Sequence, residues 1–275
     1  MLTLNHLVRR SSTVSAADFR GYWLGKHAEA SILLGTALGA RKITKCETVH
    51  DDPLNIAVQE MYGTASDAYD FVDQYVIGDL VDFKNGLADE GVRDALVSAH
   101  GAASEYVDSS RSDFWFSIDV PQIFPREEVV ATPDNAYVKI YYVPRRRPEL
   151  SLDEALLHWN SCHGGLARQY ASILPYDKYI QGHRHESAVC DELKDLLGGG
   201  FEDEKSIIGQ AEAWLERGVF AGLDGPEVGD MSRKLLEDID LFVTPSSSHI
   251  FATKEHIILN RQIVTDAVPS LFGLD

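Results

Sequence analysis

An internal repeat constrains this chain more than any other feature. Shifted by 136 residues, the sequence of 275 residues aligns with itself without a gap over roughly forty positions. Leu2–Arg10 falls on Val138–Arg146, Ser15-Ala16-Ala17-Asp18 on Ser151-Leu152-Asp153-Glu154, and Tyr22-Trp23 on His158-Trp159. His27 falls on His163 and Lys42 on Lys178. All these matches share one register, so two like modules are expected, at 1–132 and 133–275, with Pro133-Asp134-Asn135 at the junction.

Each copy reads as strand, helix, strand, strand, helix, strand. The opening strand is clearest in Tyr137–Val143, rich in β-branched and aromatic residues. Helices start at Ser15 and Ser151, each followed three residues later by an acid that completes a capping pattern. Phe19, Trp23 and His27 recur every four residues and share a helix face, as do Ala155, Trp159 and His163. Second strands are expected over 41–50 and 178–185, third strands over 56–62 and 207–214, second helices over 66–76 and 227–236, and last strands over 114–118 and 241–244. Excess chain falls at 84–108 in the first copy and 186–205 in the second. The βαββαβ order is that of an α+β, ferredoxin-like unit, and two such units can pair their sheets into an eight-stranded α/β-barrel.

Composition narrows the function classes. A net charge of −18 disfavours nucleic acid, and the only basic run, Arg145-Arg146-Arg147 between two prolines, is too short for a phosphate footprint. No apolar run approaches the ~20 residues of a membrane span. The start of the chain lacks signal-peptide order, and three cysteines without metal spacing argue against a disulfide framework, so a cytoplasmic protein is expected. Val268, Leu271, Phe272 and Leu274 in the tail could support a homodimer.

Phe19-Arg20-Gly21-Tyr22-Trp23-Leu24-Gly25-Lys26-His27-Ala28 resembles the first-helix signature of the EthD family, within the dimeric α/β-barrel superfamily. Leu157–Gly164 is similar, and Glu212-Ala213-Trp214 resembles that family's third-strand motif. The resemblance implies barrel-like sheet pairing and a cavity in each module between sheet and helices. Related families include cofactor-independent oxygenases, decarboxylases and isomerases of aromatic or polyketide substrates, and some heme enzymes.

No nicotinamide, phosphate-loop or zinc motif is present, so no cofactor and no metal are expected. What remains is a set of acid/base groups on repeated apolar faces. His163, His27, His158, Glu212 and Tyr142 are the catalytic candidates. Trp159, Trp23, Lys139, Tyr141, Lys178, Glu60, Tyr62 and His6 are candidates for substrate contact. A histidine titrates near neutral pH unaided, and a carboxyl in an apolar pocket is pushed toward it. The structural alternative for His27 and His163 is a helix-end histidine that favours the C-terminal dipole. His158 in place of Tyr22 makes the second copy the better equipped. His183 and His185 are spaced for a metal but lack an evident third ligand, and no motif marks a heme ligand.

The expected function is a cofactor-independent enzyme acting on a small aromatic, phenolic compound. Its favoured reaction is lyase chemistry that releases a one-carbon fragment by decarboxylation or deformylation, as in aromatic catabolism. The alternatives are a cofactorless monooxygenase of phenolic or polyketide-like substrates, and a binding or stress-response module without catalysis.

Overall fold

The computed structural model describes residues 1–65, 67–124, 128–174, 176–198, 206–222 and 225–261. Eight strands alternate with helices: β1 (Leu2–Val8), β2 (Ala40–Thr48), β3 (Phe71–Ile77), β4 (Asp113–Ile123), β5 (Tyr137–Val143), β6 (Lys178–His185), β7 (Gly209–Glu216) and β8 (His249–Asn260). They close into an antiparallel barrel in the order β1-β3-β2-β8-β5-β7-β6-β4. Strands of the first half run β4-β1-β3-β2 and those of the second β8-β5-β7-β6. The joins are β2 to β8 and β6 to β4.

Several contacts recur at the 136-residue spacing. The Arg9 amide donates to Ser112 Oγ (3.0 Å) and the Arg145 amide to Ser248 Oγ (2.9 Å). Isolated bridges join Arg10 to Val107 and Arg146 to Val243. Ser15 and Ser151 both cap their helices, the latter in a full capping box with Glu154.

The helices pack outside the barrel. In the first half they are α1 (Ala16–Leu24), α2 (Lys26–Ala37), α3 (Pro53–Tyr62), α4 (Leu80–Ala88) and α5 (Glu90–Ala103). In the second they are α6 (Leu152–His158), a π-helical turn over Trp159–His163, α7 (Gly164–Gln169), α8 (Ala188–Leu196) and α9 (Pro226–Ile239). Among the described residues, no helix is long and apolar enough to cross a membrane.

Three expected elements are different in kind. Residues 53–62 form a helix rather than a third strand. Asp52 caps it by accepting from the Leu54 amide, Pro53 fits its first turn, and Gly63 ends it in the left-handed region. Its buried residues, Leu54 and Val58, lie four apart, a helical period. The true third strand is Phe71–Ile77, within the stretch expected to be helical. The last strand of the second half is β8, because 241–244 lead into a short 3-10 turn at Pro245–Ser247. The excess at 84–108 is mostly α4 and α5. Of the extra stretch at 186–205, α8 is described and residues 199–205 lie outside the described set, as do Val268, Leu271, Phe272 and Leu274.

The barrel interior is polar and internally satisfied. Lys139 Nζ lies 2.5 Å from Glu212 Oε2, donates to Gln74 Oε1 (2.6 Å), and sits 3.5 Å from Glu255. Gln74 bridges Glu212 (2.8 Å) and Asn5 (3.0 Å), and the Tyr141 hydroxyl donates to Asn5 (3.0 Å). Trp214 donates to Glu255 (2.7 Å). Burial works against the Lys139 charge, but Cys46, Glu212 and Glu255 together hold its pKa above the ordinary lysine value. A buried cation with several partners of this kind is a structural element.

Candidate functional site

Strand alternation separates the candidates. On β5, Lys139 and Tyr141 point into the barrel with Glu212, whereas Ile140 and Tyr142 face the helices and the cavity of the second half. Lys139, Tyr141 and Glu212 therefore belong to the interior network and touch neither cavity. Lys178 lies over the Trp214 ring at 4.1 Å. Glu60 is exposed on α3, since the residue is helical and not in a strand. Tyr62, at the end of α3, lies 5.6 Å from the Tyr142 ring and lines the second cavity.

The first cavity has a volume of about 140 Å³ and lies between β1, β3 and β4 on one side and α2, α4 and α5 on the other. His6, Trp23, His27, Ser31, Tyr75 and His100 line it among apolar side chains, and among the described residues no arginine or lysine does. The helix expected to run through Trp23 and His27 breaks at Gly25, whose φ and ψ are −101° and −106°. A Cβ there would lie 2.7 Å from the Gly21 carbonyl oxygen, so the break requires glycine. His27 consequently sits in the first turn of α2, where the dipole disfavours an imidazolium.

The surroundings of His27 fix its proton. Lys45 Nζ lies 2.9 Å from His27 Nδ1 and 2.5 Å from Asp73 Oδ2. An amine with Asp73 as its partner is a donor, so Nδ1 accepts and the neutral ring carries its hydrogen on Nε2. Burial, then the charge of Lys45, drive the His27 pKa far below the ordinary histidine value. Trp23 stacks on His27 at 3.5 Å between centroids and donates its indole N–H to Asp73 (3.0 Å). With Phe19 stacked on it as well, Trp23 holds His27 in place and offers substrate no open face.

His6 stands across from Asp73 on β1, its ring 6.2 Å from Trp23. Among the described residues its ring nitrogens take no hydrogen bond. Burial chiefly lowers its pKa to about 4, and Asp73 opposes that only partly.

The second cavity is smaller, about 50 Å³, and richer in hydroxyls: Tyr62, Tyr142, Tyr176 and Tyr179 line it with Trp159 and His163. Ser161 stands where the first half has Gly25, and here the helix absorbs the bend as a π-turn. His163 Nδ1 is 2.9 Å from Asp238 Oδ2, and His158 Nε2 is 2.9 Å from Asp238 Oδ1. Burial raises the Asp238 pKa, but the two histidine hydrogen bonds outweigh it and hold the carboxyl below its ordinary value. The carboxylate accepts, so His163 carries its hydrogen on Nδ1 and leaves Nε2 as an acceptor. His158 lies on the outer side of this pair, packed on Phe242 at 4.9 Å.

His183 donates to Gln181 Oε1 (3.0 Å) and stacks on Trp159, and burial lowers its pKa to about 4. Among the described residues, no group of three or more His, Cys, Asp or Glu side chains is arranged to hold a metal. Sequence reasoning missed Lys45, Asp73 and Asp238. Asp238 was detectable, because it shares the buried face of an amphipathic helix with Met231, Leu235 and Ile239.

The sequence matches no family model and no curated protein. Solved structures do align. An anthrone oxidase-like protein is 10% identical, with 94% of this chain and 92% of that chain covered, at a TM-score of 0.56. A structure described as a candidate monooxygenase from Lactobacillus acidophilus is 9% identical over 94% and 95%, at 0.46. At these identities the likeness is one of fold, and it agrees with an eight-stranded α/β-barrel.

Proposed function

We propose that the chain is a tandem duplication of an EthD-like βαββαβ module, and that its first cavity is the active site of a cofactor-independent monooxygenase of a small phenol. The recurrence of backbone contacts at 136 residues and the Phe19–Ala28 and Leu157–Gly164 signatures support the duplication. One observation carries the activity: of the three histidines that line an apolar cavity, His6 has open nitrogens and His27 a fixed N–H donor. A dry apolar cavity of roughly 150 Å³ holds a benzene ring, so one or two rings suit this one.

His6 takes the phenolic proton. His27 Nε2–H donates to the phenolate oxygen as charge develops, and its own proton stays in place because Lys45 fixes the tautomer. His6 is a weak base in the empty cavity and becomes an effective one only beside the forming anion. Charge delocalised to a ring carbon reduces dioxygen there. The peroxide anion so formed takes the proton back from His6 to become a hydroperoxide, and loss of water leaves a quinone carbonyl, so phenol plus dioxygen gives quinone plus water. The anthrone oxidase-like fold neighbour is in keeping with this chemistry.

Decarboxylation suits this cavity less well, since among the described residues no lysine or arginine lines it to seat a carboxylate. A lyase reading keeps one specific observation, the Asp238–His163 pair, which presents a general base to the second cavity. Oxygen uptake separates the readings. One dioxygen consumed per quinone formed, abolished in His6→Ala, supports the oxygenase. Turnover without oxygen uptake that is lost in His163→Ala supports the lyase, and ligand-induced stabilisation without turnover supports a binding module.

A further inference from the structure

Each cavity is walled partly by a helix from the other half of the chain. α3 leaves the first half between β2 and β3, yet Leu54 and Val58 belong to the core of the second half. It is tied to β8 through Gln59, which donates to the Ile250 carbonyl (3.2 Å), and Asn55, which accepts from the Ala252 amide (2.6 Å). α8 leaves the second half between β6 and β7 and does the converse. Its buried Val189, Cys190 and Leu193 join the core of the first half with Phe83, Phe114 and Phe116. Leu193 and Leu197 line the first cavity, and among the described residues every other one that lines it comes from the first half.

α8 is held from two sides. Lys194 lies over the Phe114 ring at 5.5 Å, and Glu192 pairs with Arg93 of α5 at 2.7 Å. α5 itself lines the cavity with Leu96, Ala99, His100 and Ala103. The polar groups described in the cavity, among them His6, His27, Ser31, Tyr75 and His100, come from β1, α2, β3 and α5. The α8 leucines add only apolar bulk.

We infer that α8 and the turn residue that follows it form the specificity wall of the first cavity: Leu193 and Leu197 set how many fused rings a phenol bound there can carry. Leu197 is half-buried and Leu193 buried, so Leu197 is the residue to change with the least disturbance to the core. This inference rests on the proposed phenol site, and binding is the readout that separates the two.

The test uses the full chain and three probes, phenol, 2-naphthol and 1-hydroxyanthracene, with dissociation constants measured by calorimetry. Leu197→Ala is expected to tighten 1-hydroxyanthracene at least about tenfold, the scale of a few methylenes in an apolar pocket. Leu197→Trp is expected to weaken 2-naphthol about as much and leave phenol within about threefold. Leu54→Ala, on α3 of the second cavity, leaves all three unchanged. An unchanged size series in both Leu197 variants, with wild-type melting temperature, overturns the role of α8, and so does an equal shift in Leu54→Ala. A size series that moves as expected in a protein that consumes no oxygen removes the oxygenase and keeps the wall. Failure of the unaltered chain to bind any of the three overturns both.

Discussion

His27 and His163 occupy corresponding places in the two halves, each four residues after a buried tryptophan, yet they present opposite nitrogens. In the first cavity a lysine meets Nδ1, and Nε2 becomes a hydrogen-bond donor. In the second a carboxylate meets Nδ1, and Nε2 becomes an acceptor. The partner on the far side of the ring therefore decides what the near side can do, and nothing in Trp-x-x-x-His records which partner that is. The neighbourhoods diverge in step. The first cavity is larger and apolar, with two further histidines, His6 and His100. The second is narrow and lined by tyrosines.

Four measurements test this contrast. The largest effect is on turnover: His6→Ala is expected to lower kcat/KM by about 10²–10⁴-fold, the usual scale for general-base loss, whereas His163→Ala stays within a few-fold of the unaltered chain. Equal losses in steady-state assays erase the distinction between the cavities. Next comes stability. Lys45→Met leaves Asp73 buried without its cation and is expected to destabilise by about 3–5 kcal/mol in denaturant melts. A loss below about 1 kcal/mol shows that Lys45 is not holding the first cavity together.

The third effect is on pH dependence. An unfolded chain protonates His6 near 6.5 and the folded one near 4, so in that window the unfolded state binds more protons and stability rises with pH. His27 acts in the same direction. Acidification from pH 6.5 to 4 is expected to destabilise the protein, and His6→Asn to flatten the slope by up to about 1.4 kcal/mol per pH unit. An unchanged slope contradicts a neutral, half-buried His6. The smallest effect belongs to Asp238→Asn, at about 1 kcal/mol, because the amide oxygen still accepts from one of the two histidines that the buried carboxylate serves. Nitrogen NMR of the two imidazoles then sharpens the contrast: an Nε2–H tautomer at His27 and an Nδ1–H tautomer at His163 in the unaltered chain, with only the latter disturbed by the substitution.

Much of the architecture was legible in the sequence. The capping serines, the β-rich opening strands and the 136-residue register anticipate an eight-stranded barrel. The stretch from 53 to 77 was misread, because alternation was weighed above punctuation: Asp52-Pro53 and Gly63 bracket a helix, and Phe71–Ile77 is a β-former run interrupted by Asp73 and Gln74. Those two polar residues are also why it escaped notice. One serves the interior network and the other the His27 site, and neither role is visible until the strands pair. The site itself was half legible. His6, His27, His163 and Tyr142 do reach cavities, whereas Lys139, Tyr141 and Glu212 are turned inward by a one-residue alternation whose inner face a single sequence does not identify. Lys45 and Asp238 act on residues 18 and 75 positions away, separations at which local pattern carries no signal.

Both joins of the barrel are made inside one polypeptide. In an assembly of two identical subunits, every substitution enters both cavities at once, and a change that helps one must be tolerated by its copy. Here the histidine of each cavity and the group behind it are written by separate stretches of chain, so a lysine can settle behind one histidine and an aspartate behind the other. The covalent link thus frees the two sites from having to stay alike.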